Sequence, residues 1–274
     1  MNQPAPVRLA LFGQPVANSQ SPRIHALFGR QLGIDVDYRL IETGTHGLDE
    51  KLAEFRRLGG TGANLTVPLK QAGVTLCRRI DEAARAAGAV NTLRLTDSEW
   101  HGYNTDGGGL MLDFKRLGLD IARRRVLIVG AGGAVAGLIQ PLLKHNPSSM
   151  VIVNRTGERA EQLADRFDRP QQIYGGGFGL ADENRPFDVL IQATSAGHAR
   201  GLPPVKPAWL AGDGRVYDLN YGPAHQPFAN WCRERAIEVS DGLGMLVGQA
   251  ALAFEIWTGR RPQIAPVLAE LLAE

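Results

Sequence analysis

Short apolar runs alternate with amphipathic stretches along the chain, and the alternation restarts after its first hundred or so residues. "VRLALF" (7–12) has the pattern of a buried strand. Residues 22–32 predict a helix, with Ile24, Leu27, Phe28 and Leu32 on one face. "VDYRLIE" (36–42) alternates like a strand, 48–58 predict a helix stopped by Gly59-Gly60, and "GANLTV" (62–67) a short strand halted by Pro68. "DEAARAAG" (81–88) predicts a helix with Asp81 as N-cap and Gly88 as its stop. "AVNTLRL", a "TDS" turn and "EWHGYN" form a hairpin pattern, and a helix over about 107–117 follows. These elements predict an α/β unit with a mixed sheet.

The second series is more regular. "RVLIVGAGGAVAGLIQPLLKH" and "MVIVNRTGERAEQLADRF" each predict strand, turn, helix. "FDVLIQATSAG" and "GRVYDLNYGP" are strands ending in loops; "FANWCRERA" is a helix and "IEVSDG" a last strand. Strands alternating with helices predict a Rossmann-type, doubly wound parallel sheet. The tail is helical over 243–258 and 264–273. Following the last strand of the second series, it is expected to return to the first. The expected division is 1–105 plus 243–274 for one domain and 106–242 for the other.

Composition narrows the classes. The chain has 274 residues, 44% hydrophobic and 21% charged, with a net charge of +2. That is ordinary for a soluble protein and gives no reason to expect nucleic acid or a membrane as partner. Cys77 and Cys232 form no CxxC or Cys/His cluster, so a reducing compartment and no metal are expected. The start has no signal-peptide pattern, and the most apolar run, 126–139, is too short and glycine-rich to span a bilayer. A cytoplasmic protein is expected.

"GAGGAV" (130–135) follows a strand and opens a helix, the setting of a dinucleotide-binding turn. Gly130 permits the tight turn, Gly132 the close approach of a pyrophosphate, and the helix start offers free N–H groups to it. Val135 stands where a third glycine is usual. The next strand ends in Asn154, Arg155 and Thr156, with Arg159 beyond, where an NAD site carries an acidic residue. A carboxylate repels a 2′-phosphate; two arginines and a hydroxyl attract one, so NADP is favoured. As plain surface charges these arginines oppose the helix dipole, an objection that a bound phosphate removes.

Polar clusters close several strands of the first series: Ser19 and Ser21; Asn64, Thr66 and Lys70; Asn91 and then Asp106. Each alone has a structural explanation as strand end, surface lysine or helix cap. Ser21 before Pro22 has the pattern of an N-cap followed by N1. Together with "SQSP", "NLTVPLK", "GAVNTL", "NTDGGGL", "GAGGA", "NRTGERA", "ATSAG", "DLNYGP" and "DGLGMLVGQAALAF", in this order, they make a chain that resembles the shikimate dehydrogenases from residue 12 to about 258. The Rossmann half is the less specific part. "NRTGERAEQLA" is also similar to glutamyl-tRNA reductase, but that family needs a cysteine near its N-terminus, where this chain has none.

The resemblance implies reversible hydride transfer between NADP(H) and 3-dehydroshikimate/shikimate, in the aromatic amino acid (chorismate) pathway, by a monomer or homodimer. It implies a catalytic unit completed by the C-terminal helices and a Rossmann unit for NADP. Lys70 and Asp106 match the family's acid/base pair. Asn91, Thr66 and Gln249 match positions that hold ring hydroxyls and Tyr221 a substrate-contacting tyrosine, with Asn64 a further substrate-binding candidate. Gly130, Ala131, Gly132, Gly133, Ala134, Asn154, Arg155, Thr156, Arg159, Leu219 and Gly242 match cofactor positions, with Glu82 a further candidate. Ser19 and Ser21, two hydroxyl donors at a helix start, suit the substrate carboxylate. Asn18, Val135 and Leu219 depart from the common residues without touching the Lys–Asp pair. The rivals are a quinate/shikimate dehydrogenase that also takes NAD, a folate dehydrogenase of similar shape, and an NADP-binding regulator without turnover.

Overall fold

Residues 5–273 are described by the computed structural model. They divide into two compact units, one of residues 5–110 and 246–273, the other of 111–245. No helix among the described residues is long and apolar enough to cross a membrane.

The first unit begins β1 (Val7–Gly13), α1 (Ser21–Leu32), β2 (Val36–Glu42), α2 (Leu48–Arg57), β3 (Gly62–Leu65). It continues with α3 (Ala72–Leu76), β4 (Arg79–Ile80), α4 (Glu82–Ala87), β5 (Thr92–Thr96), β6 (Glu99–Tyr103) and the start of α5 (Asp106–Arg116). The sheet order is β2-β1-β3-β5-β6-β4. β1, β2 and β3 run parallel, whereas β5 is antiparallel to both β3 and β6, so the sheet is mixed as expected. Alternation along β1 and β3 sends Ala10, Phe12, Ala63 and Leu65 to one face, where Leu48, Leu52 and Phe55 of α2 cover them.

The start of α1 differs from the expected one. Gln20, not Ser21, is the cap position, because its carbonyl accepts the first helical hydrogen bond, from Ile24 N–H. Ser21 is therefore the first helical residue. Its N–H donates to Ser19 Oγ at 3.2 Å, so Ser19 does the capping. By contrast α4 is capped as expected: Asp81 accepts from Ala84 N–H, and Gly88 closes the helix with φ 58°.

The second unit holds the rest of α5, then β7 (Arg125–Val129), α6 (Gly133–Lys144), β8 (Ser149–Val153), α7 (Gly157–Asp165), β9 (Ile173–Gly176) and α8 (Phe178–Asn184). β10 (Phe187–Gln192), β11 (Leu210–Asp218), α9 (Gln226–Arg233) and β12 (Val239–Ser240) follow, up to the start of α10 (Leu243–Thr258). All six strands are parallel, in the order β12-β11-β10-β7-β8-β9. Counted from β7 this is the doubly wound order whose switch point lies between β7 and β10. Val126–Val129 and Ile152–Val153 are fully buried, which is why these strands have continuous apolar runs. β9 and α8 lack a sequence signal of their own. Gly175 in β9 exists for a close contact: a Cβ there would lie 2.1 Å from the Ala160 carbonyl oxygen of α7.

α10 and α11 (Ile264–Leu272) complete the first unit. Phe254 packs edge-on against Phe28 of α1, Trp257 Nε1 donates to the Leu93 carbonyl, and Arg30 pairs with Glu270. The units divide inside α5 and α10, a few residues beyond the starts of these helices. Capping and turn signals mark where a helix begins, not where its contacts change partners.

Candidate active site

In the first unit, β3, β5 and the start of α5 bring one set of polar side chains together. Asp106 opens α5, where the helix dipole favours a carboxylate. Its own N–H is held by Asn104 Oδ1. Lys70 Nζ lies 2.5 Å from Asp106 Oδ2, with the two side chains 17% and 7% exposed. Asp106 Oδ1 accepts from Asn91 Nδ2 at 2.8 Å. The lysine keeps two further N–H donors for a ligand.

Asn91 is fully engaged. Its second N–H goes to Thr105 Oγ1, and its Oδ1 accepts from Thr105 N–H and Thr92 Oγ1. It holds the pair in place and has no donor left for a substrate hydroxyl. Asn64 is similar: Nδ2 donates to the Asn91 carbonyl and Thr92 Oγ1, both at 3.1 Å, and Oδ1 accepts from Tyr38 at 2.7 Å. One acceptor position on Oδ1 remains. Gln249 joins the cluster from α10: Oε1 accepts from Thr105 Oγ1 at 3.4 Å and Nε2 donates to the Leu246 carbonyl. Thr66 is half-buried beside them in the chain. At the start of α1, Ser19 Oγ donates to Ser21 Oγ at 3.1 Å, leaving the Ser21 proton to point elsewhere.

Two aromatic residues that carried no motif belong to this cluster. Tyr38, on β2, ties Asn64 down, and burial pushes its phenol well above the usual tyrosine range. His25, one turn after Ser21, stacks on Tyr38 with centroids 4.5 Å apart and planes at 9°. It is 0% exposed and burial holds its pKa down to about 3, so the ring is neutral. Neither ring nitrogen has a hydrogen-bond partner among the described residues. Each such orphan costs about 1–3 kcal/mol. The available signal was a histidine set in the apolar stripe of Ile24, Leu27 and Phe28.

The second unit carries the glycine turn at the end of β7. Gly130 has φ +118°, a conformation open to glycine, and donates its N–H to the Val153 carbonyl. Gly132 is the extended cap of α6, and a Cβ there would meet no atom within 4 Å. This open cradle under free helix N–H groups fits a pyrophosphate. Val135, in place of the third glycine, is fully buried in the helix–sheet packing. Arg155 and Arg159 are exposed, and neither has a side-chain partner among the described residues. Asn154 Nδ2 donates to the Thr156 carbonyl and shapes the turn between them.

Beyond β10 and β11 a buried carboxylate, Asp218, fixes the adjacent loops. Its Oδ1 accepts from Gln192 Nε2, Asn220 N–H and Asn220 Nδ2, and His225 Nδ1 lies 2.9 Å from Oδ2. Leu219, Tyr221 and Gly242 sit on this frame; Leu219 N–H donates to the Gln192 carbonyl and Gly242 N–H to the Asn220 carbonyl. Burial raises the pKa of the Tyr221 phenol. Tyr221 thus stands in the second unit and the two serines in the first, while Glu82, alone of the cofactor candidates, is in the first.

A doubly wound sheet with such a turn at its switch point marks the class of dinucleotide-binding oxidoreductases. Comparison with known proteins narrows the class. Residues 11–93 match the shikimate dehydrogenase substrate binding domain, 113–200 the shikimate/quinate 5-dehydrogenase domain and 242–272 the shikimate 5'-dehydrogenase C-terminal domain. The shikimate dehydrogenase (NADP(+)) of Xylella fastidiosa is 43% identical over 273 residues, covering 97% of this chain and 96% of that one. Among solved structures, an Ael1 enzyme from Pseudomonas putida superposes with a TM-score of 0.88 at 37% identity, covering 97% and 98% of the two chains. Shikimate 5-dehydrogenase from Thermus thermophilus, in complex with NADP(H) and shikimate, gives 0.85 at 31%, covering 96% and 97%. The chain belongs to the shikimate dehydrogenase family.

Proposed function

We propose that the protein reversibly reduces 3-dehydroshikimate to shikimate with NADP(H), in the aromatic amino acid pathway. The observation that carries this reading is the Lys70–Asp106 pair, held at 2.5 Å and braced by Asn91. Bound at the glycine turn of the second unit, the nicotinamide cofactor supplies or accepts the hydride.

Reduction turns a ketone oxygen into an alcohol, so that oxygen must gain a proton as hydride reaches the carbon. Lys70 is the general acid, giving a proton from Nζ; in the reverse direction it takes one back. Asp106 keeps the ammonium aimed and carries the compensating charge. Thr66, the free N–H of Gln249 and the Asn64 amide are the groups assigned to ring hydroxyls. Asn91 acts through Asp106 and Thr105 instead. Ser19 and Ser21 are assigned to the substrate carboxylate.

The α6 start, Gly130 to Ala134, holds the pyrophosphate. Arg155 and Arg159, with Asn154 and Thr156, hold the 2′-phosphate, and Leu219 and Gly242 line the nicotinamide end. The substrate-site unit comprises 5–110 and 246–273 on this reading, and the NADP unit 111–245.

Shikimate and quinate assayed side by side, each with NADP and NAD, test the reading. The expected ranking puts shikimate with NADP highest in kcat/KM. A higher value for quinate or for NAD selects the broader quinate/shikimate enzyme. No reduction of NADP at high shikimate concentration selects the non-catalytic regulator.

A further inference from the structure

His25 brings two nitrogens into a slot that asks for none. Its neighbours there are aromatic: Tyr38 at 4.5 Å, Phe254 at 6.0 Å and Trp257 at 5.2 Å between centroids. A phenylalanine would stack in the same place and leave no polar atom stranded. Asn64 reaches this slot through Tyr38, whose hydroxyl donates to Asn64 Oδ1 at 2.7 Å beneath the stacked imidazole. Both Asn64 N–H groups are engaged, and Oδ1 keeps one lone pair beside the bond from Tyr38. Tyr38, on which the imidazole stacks, donates to that same Oδ1, so the ring and the open lone pair share one neighbourhood while neither ring nitrogen has a partner among the described residues.

On the reading that Asn64 meets a substrate hydroxyl, we infer that His25 is a positioning residue: its ring N–H closes onto Asn64 Oδ1 when substrate engages the Asn64 amide. A hydroxyl that accepts from Nδ2 turns the amide away from Thr92 or Asn91. The turn would loosen Oδ1 from Tyr38 unless a second donor waits behind it. His25 is that donor, held in place by the stack on Tyr38. The unpaired nitrogens of the free protein are the cost of keeping it ready.

His25→Phe keeps the ring and removes the nitrogens. The expected result is a KM for shikimate raised about fivefold, the worth of one hydrogen bond, with KM for NADP unchanged and kcat within about twofold. The Tm should rise, because the orphaned groups are gone. The gain should grow as pH falls below 6.5, the ordinary histidine value, since there the unfolded wild-type chain takes up a proton that buried His25 refuses down to about pH 3. In wild-type protein labelled with ¹⁵N-histidine, the His25 N–H proton should move downfield when shikimate is added. A merely structural role predicts that Tm and both KM values worsen together; that result, or an unchanged KM for shikimate, overturns the proposal. So does a His25 signal that shikimate leaves in place while the wild type turns shikimate over. Absence of turnover by the wild type overturns the proposed function instead.

Discussion

The Asn91 side-chain amide has both N–H groups and its oxygen engaged, whereas Arg155 and Arg159 have no side-chain partner among the described residues. The two units thus present opposite kinds of recognition surface. In the first, Lys70, Asp106, Asn91, Thr105, Thr92, Asn64 and Tyr38 form one interlocked set. In the second, the turn offers backbone N–H groups, open space at Gly132 and unpaired charge at the surface. The difference follows from what each must read. A small ring with several similar hydroxyls is told apart by direction, so its partners must be fixed beforehand. A phosphate is told by charge, which acts at range and tolerates mobile arginines.

The comparison predicts a hierarchy of effects. Lys70→Ala removes the proposed general acid of the interlocked set. We expect kcat to fall about 10²- to 10⁴-fold, with a much smaller change in KM for shikimate. Steady-state kinetics decide it: near-normal kcat would mean that the interlocked set only binds.

The exposed arginine surface should give a smaller and more conditional loss. Replacing Arg155 and Arg159 together by Ala should raise KM for NADP about ten- to a hundredfold, at one to a few kcal/mol for charge-assisted contacts. KM for NAD and kcat at saturating NADP should hardly move. Salt should erode the wild type's advantage, because exposed charges are screened. An effect of equal size on NADP and NAD would place these arginines in the fold and not at the 2′-phosphate.

The same contrast explains what was legible in the sequence. The parallel sheet, the glycine turn and the arginine pair were legible because backbone turns and buried strands impose their residues locally. The Lys–Asp pair was legible through motifs. Which side chains the pair occupies was not: "AVNT" puts Asn91 near the site, but only β5, β6 and α5 together show that its side-chain amide is fully engaged. Tyr38 and His25 come from β2 and α1 and meet through tertiary stacking, for which no spacing rule exists. β9 was hidden for a different reason, since glycine packed against α7 erases the apolar alternation of a strand.

The smallest expected effect separates the two serines. Both belong to the proposed carboxylate site, so each Ala variant should raise KM for shikimate. Their effects on the fold should differ. Ser19 Oγ accepts the Ser21 N–H and closes the first turn of α1, while Ser21, inside the helix, caps nothing. Ser19→Ala should therefore cost about 1 kcal/mol of stability, the usual loss for a cap, and Ser21→Ala only a few tenths. Denaturant titration of the two variants measures the gap. The reverse order would return the cap to Ser21, and the pairing of Ser19 with the helix start would then play no part in holding α1.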